Sequence, residues 1–163
     1  MPDDVEVEGG LVIQRLAAVP DRIRRAVAGW SDERLRADPA EGEWSASAIL
    51  AHVRASDDIM APRLLMILAR DNPPMPAFDD RRWAEVAGYA ELEFTTSLAA
   101  FTLRRAEVVA ALRHAPPGAW RHAGAHEVRG PVTLLDVARG LVDHEEEHCA
   151  QLEALSAPAT SGL

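Results

Sequence analysis

The chain has 163 residues, 48% of them hydrophobic and 26% charged, enough for one domain with a buried core. Its net charge of −9 leaves no basic stripe for phosphates and excludes non-specific nucleic-acid binding. A single cysteine excludes an internal disulfide, and no apolar run approaches the roughly 20 residues that cross a bilayer, so the expectation is a cytoplasmic globular protein with no nucleic-acid or membrane partner.

Residues 1–9 are polar and acidic, with no basic region leading into an apolar run. They are expected to form a frayed tail and not a leader. Helical spacing begins at Leu11 and continues through Ile13, Leu16, Ile23 and Val27, with Pro20 predicted to kink or restart the helix. Ser31-Asp32-Glu33 reads as the cap of a short helical turn. After the loop at 38–43, Ser45 is a good N-cap for a helix over about 46–70, in which Pro62 predicts a bend.

The Pro-rich run 73–76 ends that helix, and a short turn around 82–86 interrupts the long link to Tyr89. A third long helix is predicted over about 90–114, on the stripe Phe94, Leu98, Phe101, Val108 and Leu112, with Arg105 on the same stripe. Trp120 to Pro131 reads as a loop or a small hairpin. Thr133, with Asp136 three residues on, caps a last helix that runs to about Leu155. No segment alternates with period two over any length. The expected fold is all-α, an antiparallel four-helix bundle over residues 10–156, with tails at 1–9 and 157–163.

The last helix carries the chemistry. Its apolar seam reads Leu134, Ala138, Leu141, Glu145, His148, Leu152 and Leu155, so Glu145 and His148 fall on core-facing positions. His144 and His148 stand four apart, which turns about 400° and leaves the imidazoles roughly 6 Å apart along one face. Polar groups in a seam are costly unless satisfied, and one divalent ion would satisfy both rings. His52, on the second long helix, is the candidate third ligand, because three imidazoles form an open site whose fourth position takes water or substrate.

Glu145 is the candidate general base or ligand-orienting carboxylate, whereas Glu146 and Glu147 are expected at the surface. Cys149 is expected to be buried packing, and His122 and His126 solvated loop residues. Asp57 and Asp58 are expected at the surface or behind the ligands. Arg105 reads either as an anion-binding group or as half of a structural ion pair, and Trp44, Trp83 and Trp120 are expected to pack the bundle ends.

The string His144-Glu145-Glu146-Glu147-His148 formally matches the H-E-x-x-H zinc protease pattern, but such proteases set their substrate beside a sheet edge and no sheet is expected here. A wider set of motifs fits better: Gly42-Glu43-Trp44-Ser45, Ile49-Leu50-Ala51-His52, Phe78-Asp79 with Trp83, then Trp120, His126, Gly130 and Thr133-Leu134 ahead of His144, His148 and Gln151-Leu152. In this order they resemble the DinB-like superfamily of small bacterial metal-binding bundles. The resemblance implies a metal triad of His52, His144 and His148, a divalent ion such as zinc or nickel, and a homodimer. It also implies a small-molecule substrate, with mycothiol or a similar thiol as co-substrate of an S-transferase. Members often carry Asp where Glu145 stands. A metal-stabilised bundle that binds a ligand without turnover is the alternative.

Overall fold

The computed structural model describes residues 3–156. Four long helices make the bundle: α1 (Asp4–Ala26), α3 (Ala46–Ala69), α5 (Phe94–Arg113) and α6 (Leu134–Ser156). Two short ones, α2 (Asp32–Arg36) and α4 (Asp80–Ala87), lie in the connections. The helix starts are chemically marked. Ser31 accepts from the Arg34 amide, Ser45 from the Ala48 amide and Asp79 from the Arg82 amide, while Thr133 and Asp136 bond each other's amides as a reciprocal box. Pro20 and Pro62 both lie inside continuous helices.

The N-terminal expectation is corrected. Residues 4–9 are the first turns of α1, capped by the Asp3 carboxylate, which accepts from the Val5 amide. Gly9 is buried because the Trp120 indole lies flat against it; a Cβ there would sit 2.1 Å from Trp120 Cε2. The tail expected at 157–163 lies outside the described residues.

The predicted third helix begins later, at Phe94, after a 3₁₀ turn over Tyr89–Glu91. A small sheet is also present where no sheet was expected, although its hairpin is one of the two readings of Trp120 to Pro131. β2 (Ala123–His126) and β3 (Gly130–Thr133) form an antiparallel hairpin, and β1 (Pro74–Met75) pairs parallel to β2 with Met75 opposite His126. Gly124 permits this, since a Cβ there would come within 2.8 Å of the Met75 side chain.

Around the bundle, α1 packs on α5 and α6, and α3 packs on the same two. The pairs α1/α3 and α5/α6 are therefore diagonal, so two of the three links between long helices cross a bundle end diagonally. Leu16, Leu50, Phe101, Leu141 and Leu152 fill the centre. No described helix is long and apolar enough to cross a membrane.

Candidate metal centre

His52 projects from α3, and His144 and His148 from α6, across a helix pair that packs directly. One ring nitrogen from each lies within 4.8 Å of the others, and the ring centroids are 4.6–4.9 Å apart. The helical spacing of His144 and His148 and the packing of α3 on α6 therefore bring together the three histidines expected. His122 and His126, on the turn before β2 and on β2 itself, are not part of the cluster.

The surroundings hold the rings in place. Gln151, one turn beyond His148, accepts its Nδ1–H at 2.7 Å, which leaves Nε2 of His148 with a free lone pair. Ser56 Oγ lies 3.0 Å from Nε2 of His144 and donates to Asp80 Oδ2 at 3.1 Å; the same Asp80 oxygen is 3.7 Å from Nε2 of His52. Trp44 stacks on His148 and meets His52 edge-on. Nδ1 of His52 is buried without a hydrogen-bond partner among the described residues.

Burial holds the His52 imidazole well below its ordinary value, at about 4, against the pull of Asp80; it lowers His144 as well, with His148 adding to the effect. Both rings are neutral near pH 7, which is the state that binds a metal. A partnerless buried nitrogen on one of three clustered imidazoles, two of which burial keeps neutral, fits a divalent ion held by three nitrogens.

Glu145 is elsewhere. Its carboxylate is fully buried and held by both amino groups of the Arg105 guanidinium at 2.5 and 2.7 Å; Arg105 also bonds Asp57 at 2.7 Å and the Leu16 carbonyl at 3.2 Å. Burial pushes the Glu145 carboxyl up and the guanidinium pulls it back, while Arg105 is held firmly charged by its two carboxylate partners. Glu145 does not line the cavity in front of the imidazoles. This corrects the expectation of a base beside the metal. The acid sits on the seam to meet a cation in the core, and Arg105 is the structural ion pair of the two readings. Asp57, expected at the surface or behind the ligands, is its second buried partner. Cys149 is buried too, its thiol pushed up to about 11 by desolvation, as expected of packing.

The carboxylate that does stand beside the cluster is Asp80. Sequence reasoning missed it because Asp79-Asp80-Arg81-Arg82 looks like a solvated charge run. Trp44 lines the site and does not merely close the bundle end. The open cavity is about 680 Å³, and Trp44, Arg81, Glu147 and all three histidines line it. A second cavity of about 540 Å³ shares Trp44, His52 and Arg81 with the first.

The profile of the DinB superfamily matches residues 15–152. The chain belongs to the DinB superfamily. Among curated relatives it is similar to a protein of Oceanobacillus iheyensis, 23% identical over 141 residues covering 86% of this chain and 81% of that one. It is also similar to YfiT of Bacillus subtilis, 25% identical over 145 residues covering 88% of this chain and 82% of that one. Both are provisionally named metal-dependent hydrolases. The solved structure of YfiT, described as a four-helix bundle of unusual topology, matches with a TM-score of 0.82 at 22% identity over 96% of this chain and 89% of that one. The bundle thus shares its overall fold with a solved four-helix bundle.

Proposed function

We propose that His52, His144 and His148 hold a divalent metal ion, zinc or nickel by the chemistry of the donors, and that this DinB protein is a metal-dependent enzyme acting on a small molecule. The observation that carries the proposal is the convergence of three imidazoles, one with an unpartnered buried nitrogen, at the floor of an open cavity. A divalent ion held there would supply Lewis acidity, which brings water or a thiol to a reactive state near neutral pH. The chain supplies the rest. Gln151 fixes the tautomer of His148, Trp44 shields one side of the cluster, and Asp80, joined to His144 through Ser56, is the carboxylate placed to accept a proton.

Hydrolysis is the first reading, supported by the names of the curated relatives. Transfer of a low-molecular-weight thiol of the mycothiol type is the second. It is favoured by the second cavity, which meets the first at His52 and leaves room for a second molecule.

The test is metal content of untagged protein, wild type against His148→Ala, together with turnover of an ester and amide panel and of thiol consumption with electrophiles. The expected result is about one ion per wild-type chain, at least tenfold weaker binding in the variant, and turnover abolished by chelation. An ion retained at full occupancy by His148→Ala defeats the triad. Metal binding without turnover of either panel makes the protein a ligand-binding module.

A further inference from the structure

Arg81 is the one arginine or lysine lining the cavity in front of the imidazoles. Its guanidinium lies 5.2 Å from the centroid of the Trp44 ring, and among the described residues it makes no hydrogen bond and no ion pair. Its neighbours in sequence are engaged otherwise: Asp80 faces Ser56 and His52, and Arg82 bonds Glu85 at 3.0 Å. The first turn of α4 therefore delivers one free cation to the same space as the candidate metal ligands.

We propose that Arg81 selects the substrate, which is a small molecule carrying a carboxylate or phosphoryl group, with Trp44 as the platform that holds the guanidinium ready. The proposal rests on the reading of this cavity as the substrate site of a metal enzyme. Its physical basis is directed bonding and not bulk charge. The protein carries a net charge of −9, and the exposed Glu43 and Glu147 line the same cavity, so its overall field does not gather anions. A planar guanidinium overcomes this locally, because two parallel N–H groups fit the two oxygens of a carboxylate or phosphate. Stacking over the indole reduces the side-chain freedom lost when those bonds form. Arg81 also borders the second cavity, so a molecule in either chamber can reach it.

The experiment compares 3-phenylpropanoate with its uncharged amide, binding each to zinc-loaded wild type, Arg81→Met and Arg81→Lys, with zinc content measured on every sample. Wild type is expected to prefer the carboxylate by about tenfold, the effect of charge-assisted hydrogen bonds to one group. Arg81→Met is expected to lose the preference, and Arg81→Lys to keep part of it, since lysine retains the charge without the fork. A wild type with no preference overturns the proposal. So does a preference that survives in Arg81→Met, because the ion and not the arginine would then hold the carboxylate. A wild type that binds no zinc defeats the metal reading instead, and the same ratio in the metal-free protein then judges Arg81.

Discussion

His144 and Glu145 are neighbours in sequence, and the helix turns about 100° between them. That rotation sends the imidazole toward α3 and the cavity, and the carboxylate into the centre of the bundle toward Arg105. The seam pattern of α6 places Glu145 in the core but does not say whether the core there holds an ion or a guanidinium; only the neighbouring helices decide that. The two placements have opposite consequences. Glu145→Gln is expected to keep its metal, with stoichiometry near wild type by atomic absorption, while losing about 1–3 kcal/mol of stability to urea. A metal loss comparable to that of His148→Ala would return the carboxylate to the ion. His144 and His148 were legible because a four-residue spacing on a helix is itself a geometry, and His52 because it ends the motif Ile49-Leu50-Ala51-His52 on a helix expected to face them. Asp80 was not, because its importance comes from α4 lying against α3, which no local pattern encodes.

At the scale of elements, legibility followed local chemistry. Ser45 and Thr133 announced α3 and α6, and the Pro-rich run ended α3 near its true end. The hairpin was legible only as one of two alternatives, and β1 not at all, because the strands have two to four residues, rich in Gly, Ala and Pro, with no alternation long enough to read. The start of α1 stayed hidden for another reason. Residues 4–10 hold two adjacent glycines and several acids, a poor helix by propensity, yet Gly9 and Gly10 are helical because the Trp120 indole packs against the first of them. The two glycines therefore separate packing from propensity. Gly9→Ala is expected to lower stability by about 1–3 kcal/mol, since its Cβ would overlap a buried indole. Gly10→Ala, which meets nothing within 4 Å, is expected to raise it by about 0.5–1 kcal/mol. Thermal melts of the two variants check this; equal shifts of one sign would mean that Trp120 does not rest on α1.

At the scale of the whole molecule, one side chain meets all four long helices. Arg105 projects from α5, bonds Glu145 on the diagonal partner α6, Asp57 on α3 and the Leu16 carbonyl on α1. The pair Arg105–Glu145 links diagonal helices directly, so this knot is placed to set the rotation of α6 about its own axis, and with it the direction in which His144 and His148 point. It is an expensive way to hold a bundle. Two acids and one base are buried together, and Nε of Arg105 and Oδ2 of Asp57 have no partner among the described residues. An apolar core would be at least as stable, so the knot's contribution is to orientation more than to stability. Arg105→Met is expected to cost about 3–5 kcal/mol by leaving two carboxylates buried without a cation, a fall in Tm of roughly 10 °C. Adding Glu145→Met and Asp57→Leu is expected to recover most of that stability, because the uncompensated charges are gone. Zinc affinity distinguishes the two roles. If the knot only holds the bundle together, the triple variant regains wild-type affinity along with its stability. If it sets the rotation of α6, the triple variant melts like wild type and still binds zinc more weakly, because its imidazoles are no longer held in register with His52.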